Sequence, residues 1–440
     1  MTETAALPGP TPVPFAPVPG VPVDVAGAMR GFSSEIGALA AFRLESCIHC
    51  GMCADACHYY IATEEPQYTP IWKVEPFKQA YKREASPFAP AFRWLGLKRE
   101  VTAEQLRQWQ HLLYDSCNLC GRCSLICPMG IDVAALIEQA RHAMFDAGLA
   151  PTELYDRARH QSVTGQPEAS SEPYRDRLVE IGERFGVPMP LDLVGVEVML
   201  CIPRTDLDHY PAAVAALARV MAHLAVSCTF RSDGLVDENY GYHAGARDWQ
   251  RVISLRLIDQ AIACGAKVLL VPECGHAYTV LRWEAADLYG KPLPFRVMAV
   301  SEYLAERLHA GQLTLGKAGG ATATFQDPCH LSRTGGVSEA PRALMKAMGV
   351  ELAEMQDHGN FSFCCGGGGG VFDIAAAAPL RYRTMEGKLR EVAATAATTL
   401  LTSCCECRRS FDDAQEHFGG VLRPDSLLEL VAANLGPRAD

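Results

Sequence analysis

The sequence predicts an α/β protein that carries a separate, mainly helical segment towards its N-terminus. After residue 196, short apolar runs alternate with helical stretches, which is the pattern of α/β units. Before residue 130, two dense cysteine runs bracket an interval rich in aromatic and basic residues, which we expect to be a helical linker. The length of 440 residues fits about two to four domains.

The N-terminal residues differ from the rest of the chain. Residues 1–24 alternate proline with small residues and lack the periodicity of a helix or a strand. Such a composition is typical of an extended chain. We therefore expect residues 1–30 to form a Pro-rich disordered tail without chemistry of its own.

Two cysteine runs share one spacing, C-x-x-C-x-x-C-x-x-x-C, and lie at Cys47–Cys57 and Cys117–Cys127. In bacterial ferredoxins this spacing binds [4Fe–4S] clusters, with the first three thiolates on one cluster and the fourth on the other. The spacing therefore predicts two [4Fe–4S] clusters, one on Cys47, Cys50, Cys53 and Cys127 and the other on Cys117, Cys120, Cys123 and Cys57.

Other metal sites fit this spacing less well. Zinc sites are typically built from paired C-x-x-C hairpins rather than an unbroken run. A c-type haem is excluded because the sequence has no C-x-x-C-H motif. Gly51 and Gly121 each follow the second cysteine of their run, where a tight turn must bring backbone N–H groups close to sulfide. We expect His49 and His58 to lie near the clusters or at the surface without binding iron.

A helix is predicted before the second cysteine run, and a connector is predicted after it. Thr102 and Gln105 form a capping-box pattern at the start of Val101–Leu113, so we expect a helix that leads into the second cysteine run. Residues 151–190 are polar and contain prolines, which predicts a connector.

The α/β part is predicted to contain an internal repeat. Open α/β sheets bind ligands at the carboxyl ends of their strands. Helices are expected at Ala212–Leu224 and Trp249–Ala263, with Gly265 ending the second. One copy of the repeat lies near 196–310 and another near 321–440. Four apolar runs that end in cysteine are predicted to be buried strands, at 196–202, 266–274, 321–329 and 397–405.

The second copy carries three cysteine motifs, Cys329 in a DPCH sequence, Cys364-Cys365-Gly366, and Cys404-x-x-Cys407. These motifs resemble the cysteine-rich CCG domain of heterodisulfide reductases. The resemblance implies that Cys329, Cys364, Cys365, Cys404 and Cys407 hold a non-cubane [4Fe–4S] cluster at which a disulfide is bound and cleaved in one-electron steps. Cys405 is an additional cysteine without an assigned role.

The first copy departs from the CCG pattern. Cys201 and Cys274 match the outer positions, but Asn239-Tyr240-Gly241 stands where Cys-Cys-Gly would be, and Ala277 replaces the last cysteine. Two thiolates of five are too few for the full ligand set. We expect one catalytic centre, with five residues of the first copy lining the substrate crevice opposite it: Cys201, Cys274, Tyr240, Tyr242 and His276.

The resemblance covers nearly the whole chain after residue 40 and is closest to two kinds of subunit. These are the fused membrane-linked heterodisulfide reductase subunit and the iron–sulfur catalytic subunit of the dissimilatory-sulfite-reductase-associated membrane complex. It implies an N-terminal α-helical two-[4Fe–4S] ferredoxin-like domain followed by two Rossmann-like α/β CCG repeats, the first degenerate. The expected boundaries are 31–150 for the ferredoxin-like domain, 191–315 for the degenerate CCG domain and 316–440 for the intact one.

Two functions are carried forward from the sequence. In the first, the chain is an oxidoreductase subunit that relays electrons through the two clusters to the non-cubane centre and reduces or forms a disulfide or trisulfide. His276, His330 and Glu406 are then candidates for supplying protons. In the second, the chain is only an electron relay for a flavin-dependent dehydrogenase of glycolate or glycerol-3-phosphate type that feeds quinone. A third alternative, structural zinc on the C-terminal cysteines, is disfavoured by the adjacent Cys364-Cys365 pair.

Charge and composition limit the cofactors and partners. The net charge of -11 makes nucleic acid an improbable partner. The run Gly366–Gly370 lacks the Lys-Ser/Thr of a phosphate-binding loop, and no flavin or NAD fingerprint occurs. We expect a cytoplasmic chain, attached to the inner membrane only through a partner. The expected partners are a quinone- or haem-linked membrane subunit, or a flavoprotein, together with a disulfide-bearing small molecule or a small cysteine protein.

Overall fold

The structure is a computed structural model that describes residues 22–85, 89–96, 101–169, 172–233, 236–272, 274–320, 322–420 and 422–438. Its first helix is Val25–Ser34, which begins where the Asp24 carboxylate accepts a hydrogen bond from the Gly27 amide at 2.8 Å. The prediction of a disordered tail to residue 30 was therefore wrong for residues 25–30, because Asp24 caps a helix with a buried apolar face. Residues 1–21 lie outside the described residues.

The cysteine-rich N-terminal part is helical, as predicted from its composition. A short helix lies within each cysteine run, and longer helices surround them. Segments with wider, π-type turns occur at Tyr81–Ala85 and His111–Asp115. The α-helices are Val25–Ser34, Ala38–Ser46, Met52–Ala56, His58–Thr63, Pro70–Ala80, Ala89–Trp94, Ala103–Gln110, Arg122–Ile126 and Val133–Asp146.

The capping box at Thr102 is confirmed. The Thr102 hydroxyl accepts from the Gln105 amide at 3.2 Å, and the Gln105 side-chain oxygen accepts from the Thr102 amide at 3.0 Å. The helix Ala103–Gln110 continues into the π segment and ends just before Cys117. The predicted connector contains two helices of its own, Thr152–Thr164 and Tyr174–Phe185.

The α/β part contains two parallel four-stranded sheets with the same strand order. The strands of the first sheet are β1 Val198–Leu200, β2 Cys228–Phe230, β3 Val268–Val271 and β4 Arg296–Ala299. Those of the second are β5 Thr322–Gln326, β6 Glu351–Leu352, β7 Thr399–Thr402 and β8 Pro424–Ser426. The orders are β2-β1-β3-β4 and β6-β5-β7-β8. The topology therefore repeats, as the strand–cysteine junctions predicted.

The four strands that the sequence predicted are β1, β3, β5 and β7, which are the two central strands of each sheet. Their neighbours β2, β4, β6 and β8 were not predicted. Each edge strand contains a polar or charged residue, and none shows the apolar run ending in cysteine from which the central strands were predicted. The predicted helices are confirmed at Pro211–His223 and Arg247–Ala263.

The remaining helices cover the sheets and connect the strands. Each sheet has parallel strands, so every connection must cross from one end of the sheet to the other. In the first half the other helices are Arg204–His209, Tyr240–Ala244, Gly275–Thr279, Ala285–Tyr289 and Val300–His309; in the second they are Glu339–Ala347, Ala378–Ala394, Cys405–Phe418 and Leu427–Ala433.

Two buried side chains join the helical part to both α/β halves. The Tyr114 hydroxyl donates to the carbonyl of Ala244 at 2.9 Å. The guanidinium of Arg141 donates to the carbonyls of His243 at 3.0 Å and Gly369 at 2.8 Å. Because backbone groups buried away from water need partners, these bonds hold the three parts in one arrangement.

Candidate iron–sulfur sites

The two ferredoxin-type runs fold into the same turn. In each run the residue before the second cysteine has a positive φ, 54° at His49 and 53° at Leu119. The glycine after that cysteine is also left-handed, with φ 82° at Gly51 and 72° at Gly121. Successive left-handed and right-handed residues turn backbone N–H groups towards one concave side, which suits an anionic cluster.

Each turn lines a small cavity with four cysteines, and the fourth comes from the other run. The grouping of the eight cysteines is that of the crossover rule. The first cavity is lined by Cys47, Cys50, Cys53 and Cys127, and the second by Cys57, Cys117, Cys120 and Cys123. Four converging thiols fit the ligand chemistry of a [4Fe–4S] cluster.

Buried cations next to the second cavity also fit an anionic cluster. Lys73 is 1% exposed, and its ammonium contacts the Cys57 thiol at 3.7 Å and the carbonyl of Ser116. Arg141 is fully buried and donates to the carbonyl of Cys117 at 2.8 Å. Neither side chain forms an ion pair within the described part of the chain. A buried charge needs compensation, and a cluster held by thiolates would supply it.

The five cysteines of the second α/β half converge in the interior. All five are at most 7% exposed. The Sγ atoms of Cys329 and Cys364 are 4.0 Å apart. Cys365 interacts with the thiols of Cys364 and Cys407, which lower its pKa, and Cys407 also interacts with Cys404. The three motifs therefore form one continuous group of thiols.

The second ferredoxin-type cavity and the C-terminal thiols meet directly. Cys120 interacts with the thiol of Cys364, and the pKa of Cys120 is lowered by that contact and by His58. One ligand atom each from His58, Cys120 and Cys364 lies within 4.8 Å of the other two. No local pattern in the sequence indicates this junction, because Cys120 and Cys364 are more than 240 residues apart.

The glycine run allows three parts of the chain to approach one another closely. A Cβ atom on Gly368 would lie 2.3 Å from the His276 ring, and one on Gly369 would lie 2.7 Å from the backbone of Asn118. The Asn118 side-chain amide donates to the carbonyls of Gly366 at 2.9 Å and Gly368 at 2.7 Å. The glycines of this run therefore permit close approach to protein groups beside the thiols.

Three buried histidines lie at the contact between the α/β halves. The rings of His276 and His330 are 3.7 Å apart, and those of His243 and His276 are 5.0 Å apart. Burial lowers the pKa of His243 to about 3 and that of His330 to about 4, and it also lowers the pKa of His276. All three imidazoles are therefore neutral near pH 7, and His276 Nε2 accepts a hydrogen bond from the Gly369 amide at 3.0 Å.

The predicted crevice residues of the first half do not gather in one open site. Cys201 and Cys274 are buried, and the Cys274 thiol interacts with that of Cys405. Tyr240 donates its hydroxyl proton to Asp373 at 3.0 Å. Tyr242 lines an open cleft together with His330. Cys405 thus bridges the two halves, although the sequence suggested no role for it.

The carboxyl group of Glu406 is half-buried beside the C-terminal thiols. Burial raises its pKa to about 8. Its Oε1 accepts a hydrogen bond from the Thr205 hydroxyl at 2.7 Å. Glu406 is therefore largely protonated near pH 7, whereas the three histidines are deprotonated.

Two protein families match the two cysteine-rich regions. A family described as "4Fe-4S dicluster domain" matches residues 46–132, and one described as "CCG: Cysteine-rich domain" matches residues 323–412. The chain is a CCG-domain iron–sulfur protein. The dicluster match implies two [4Fe–4S] clusters in this CCG-domain protein, and the cysteines of the CCG match suggest a further cluster.

Relatives of this CCG-domain protein are iron–sulfur oxidoreductase subunits at distant identity. One subunit of the dihydromethanophenazine:CoB–CoM heterodisulfide reductase of Methanosarcina barkeri is 25% identical over 92% of this chain and 97% of its own length. The second iron–sulfur subunit of the Hdr-like menaquinol oxidoreductase of Archaeoglobus fulgidus is 24% identical over 88% of this chain and 79% of its own length. The EtfAB:quinone oxidoreductase of Syntrophomonas wolfei is 29% identical over 74% of this chain and 48% of its own length. The chain is thus related, at distant identity, to heterodisulfide-reductase-like iron–sulfur proteins.

The length and apolar character of the helices also decide whether any of them could span a membrane. Within the described part of the chain, none of them has the length and apolar character needed to cross a bilayer.

Proposed function

We propose that this protein is a disulfide-reducing, or disulfide-forming, subunit of a larger redox complex, acting on a disulfide or trisulfide. In the reducing direction, R–S–S–R takes up two electrons and two protons to give two R–SH. Two [4Fe–4S] clusters held by the ferredoxin-type cysteines would relay the electrons to a non-cubane [4Fe–4S] cluster held by the C-terminal cysteines. When bound, that cluster supplies single electrons and an iron that can accept a thiolate sulfur.

The proposed ligands are the thirteen cysteines of three groups. The two cavities differ in exposure, since Cys50 is exposed whereas Cys120 is half-buried. This suggests that electrons enter at the first cluster and leave from the second. We assign Cys47, Cys50, Cys53 and Cys127 to the first cluster, Cys57, Cys117, Cys120 and Cys123 to the second, and Cys329, Cys364, Cys365, Cys404 and Cys407 to the non-cubane cluster.

The contact between Cys120 and Cys364 is the observation that supports this proposal most strongly. A ligand of the second cluster and a ligand of the non-cubane cluster would be neighbours, so electrons need not cross a wide protein gap. Asn118 and Arg141 hold the glycine run against this junction through backbone carbonyls. They would therefore keep the two sites at a constant separation.

The protein's own groups also provide for protons. The sequence candidates are His276, His330 and Glu406. The two imidazoles are buried and neutral, so each has one N–H and one lone-pair nitrogen and could pass a proton on without holding a charge, and His330 lines an open cleft. We propose that they relay protons between the cleft and the thiols, and that Glu406 is a further proton donor beside Cys405 and Cys407.

The shared strand order of the two sheets supports a duplicated CCG fold with a degenerate first copy. We retain 31–150 for the ferredoxin-like domain, 191–315 for the first copy and 316–440 for the second. In the first copy, Asn239-Tyr240-Gly241 and Ala277 occupy the topological positions of missing cysteines. That copy would serve as a wall for the active site without a non-cubane cluster of its own.

An apolar surface beside the first cluster suits a redox partner. Phe42 is 66% exposed and Ile48 63%, and Met52 and Met129 are also exposed. Ile48 and Met129 line the first cavity together with its cysteines. Exposed apolar groups around a redox site are typical of a docking surface. We propose that a quinone- or haem-linked membrane subunit, or a flavoprotein, docks here and holds this chain at the cytoplasmic side of the inner membrane.

A second function is favoured by one comparison. The EtfAB:quinone oxidoreductase of Syntrophomonas wolfei shows 29% identity, the highest among the relatives named above. On that analogy the chain would only relay electrons between a flavoprotein and quinone. The buried C-terminal thiols would then belong to a cluster that never meets a substrate.

Electron paramagnetic resonance of the holoprotein separates the two functions. The protein is reduced, then titrated with an oxidant in the presence and absence of small disulfides and thiols. We expect a paramagnetic signal that depends on the added thiol or disulfide. Cys365→Ser should abolish it and lower disulfide-dependent oxidation of a reduced viologen by at least about 100-fold, since ligand loss removes the centre.

Cys264→Ser is the matched control, because Cys264 is also fully buried but its thiol donates only to the Ala261 carbonyl. It should leave the signal and the activity unchanged. A holoprotein with all its iron, full electron transfer to a quinone-linked partner and no thiol-dependent signal would contradict disulfide chemistry and favour the relay.

A further inference from the structure

An open cleft of about 520 Å³ lies where the helical part meets both α/β halves. All three parts contribute to its wall. Gly121 is adjacent to Cys120, Glu284 belongs to the first half, and His330 is adjacent to Cys329. Both redox sites therefore have a neighbouring residue on this cleft. Its volume lies in the range of small-molecule pockets, about 300–1,000 Å³.

His330 places an imidazole in the wall of the cleft, next to the proposed ligand Cys329. Its side chain is only 2% exposed, and its Nε2 atom has no hydrogen-bond partner among the described residues. The other ring nitrogen, Nδ1, lies 3.5 Å from the Thr279 hydroxyl, which belongs to the same wall. The His330 ring therefore forms part of the wall beside Cys329, between Thr279 and the Asn118 backbone.

The wall of the cleft is acidic. Glu138 and Glu284 both line it and are half-buried, and Asp132 lies on the same side as Glu138. The cation among the lining residues is Arg333, whose guanidinium donates to the carbonyls of Cys120, Asn360 and Ser362. An anionic ligand would therefore meet carboxyl groups and an arginine that is already engaged.

The two glutamates act on each other. Burial raises the pKa of Glu138 to about 8, with repulsion from Glu284 adding to the shift, and burial raises that of Glu284 to about 7. Near neutral pH the pair therefore shares a proton and keeps part of its negative charge. Gln250 donates to Glu284 at 2.6 Å. The other charged or titratable groups that face the pair are Asp132, Arg141, Tyr242, Arg247 and Asp287.

We propose that this cleft binds the organic arm of the disulfide substrate and selects arms with a protonated amine over arms with a carboxylate or phosphate. The inference rests on the proposed disulfide chemistry and specifies its substrate class. An ammonium group would pair with Glu138 and Glu284 while the sulfur atoms lie towards His330. It would also favour the ionised forms of both carboxyl groups.

A charge series of small disulfides tests the selection. The holoprotein is assayed with cystamine, bis(2-hydroxyethyl) disulfide and dithiodiglycolate, using a reduced viologen as the electron donor. We expect kcat/KM to fall in that order, with cystamine about tenfold above dithiodiglycolate, as for partly screened charge pairs. Equal values, or a preference for the dicarboxylate, would overturn the proposal.

Variants of the wall test where the selection arises. Glu138→Gln combined with Glu284→Gln keeps the shape but removes the charge, and should reduce the tenfold ratio to about twofold or less. Ala135→Phe, at another lining residue, should raise KM for all three disulfides by narrowing the cleft. Glu153→Gln, an exposed acid outside the cleft, is the control and should change neither value. An unchanged ratio in the double variant would overturn the proposal.

A binding measurement separates failure of this inference from failure of the proposed function. The carbon analogues 1,6-diaminohexane and adipate have the lengths of cystamine and dithiodiglycolate but cannot be reduced. Calorimetry should show that the diamine binds and that the double variant loses this binding. Binding of the diamine without turnover of any disulfide would reject the proposed function alone. Turnover of disulfides without charge dependence in either assay would reject the cleft alone.

Discussion

The two α/β halves share one strand order but hold their motif loops by different means. In the first half, the Asn239 side chain accepts from the Tyr242 amide and donates to Gln250 and Ser254, each at 3.1 Å. In the second half, Cys364 and Cys365 occupy the loop after the corresponding strand, and their side chains contact other thiols. The fold of these halves therefore does not require thiolates in this loop. We expect the loop of the second half to depend on what its thiolates bind.

Removal of iron should break the similarity between the halves. Treatment of the protein with a chelator and a reductant leaves buried thiolates that repel one another, whereas the hydrogen bonds of the first half remain. We expect amides of residues 363–370 to exchange on the order of 100 times faster, and those of residues 239–246 to keep their protection. Hydrogen–deuterium exchange with mass spectrometry measures both segments at once.

Equal loss of protection in the two segments would show that the whole α/β part depends on the cluster. The control is the untreated holoprotein taken through the same buffers. Reconstitution with iron and sulfide should restore the protection of residues 363–370.

Substitution in the glycine run should unfold the second loop without removing a thiol. A Cβ on Gly369 would meet the Asn118 backbone at 2.7 Å, and Gly369 has a φ of 67°. We expect Gly369→Ala to lower the free energy of unfolding by about 4 kcal/mol, from strain and the displaced backbone together. Chemical denaturation of the holoprotein measures the change.

Gly186→Ala is the matched control for the backbone strain. Gly186 has a φ of 63°, but a Cβ there has nothing within 4 Å. Its effect should be about 1–2 kcal/mol, which is the strain without the clash. Equal losses in both variants would contradict the close approach to Asn118.

The sequence predicted features that depend on local spacing and left out those that depend on distant contacts. The central strands β1, β3, β5 and β7 could be predicted because buried parallel strands form continuous apolar runs. The edge strand β6 has two residues and no such run. The cysteine groups followed from short motifs, and the cavities group them as the motifs predict.

The contacts between parts of the chain could not be predicted. No local pattern connects Cys120 with Cys364, Cys274 with Cys405, or Glu138 with Glu284. Each pair meets because separate elements pack together, so its members are ordinary residues in their own segments. The sequence therefore predicts the ligands of the proposed active site, but it does not predict the cleft that leads to them.

The stability of the protein should depend on pH through Glu238, a buried acid next to Asn239 in the first half. Burial raises the pKa of Glu238 to about 7 and also raises that of its neighbour Asp237. A carboxyl whose pKa is raised on folding stabilises the folded state below its unfolded pKa, about 4.5, and loses that contribution as the pH rises through its folded pKa. We expect the free energy of unfolding to fall by about 3 kcal/mol between pH 5 and pH 8.

Glu238→Gln should flatten this pH dependence, since its side chain does not ionise. Denaturation curves at pH 5, 6, 7 and 8 measure the slope. Exposed Glu153, changed to Gln, should leave the slope as it is. An unchanged slope in Glu238→Gln would assign the pH dependence to the other acids whose pKa is raised by burial, which are Asp237, Glu138, Glu284 and Glu406.

The smallest effect tests whether the polar network of the first half replaces the cluster. Asn239→Ala removes the cap of helix Tyr240–Ala244 and two buried donors. We expect a loss of about 2 kcal/mol in the free energy of unfolding, with unchanged iron content and paramagnetic signals. Asn239→Asp keeps the acceptor for the Tyr242 amide but loses the donors, so it should fall between Asn239→Ala and the native protein. Loss of iron in either variant would mean that the first half takes part in holding a cluster, and the difference between the halves would then be one of degree.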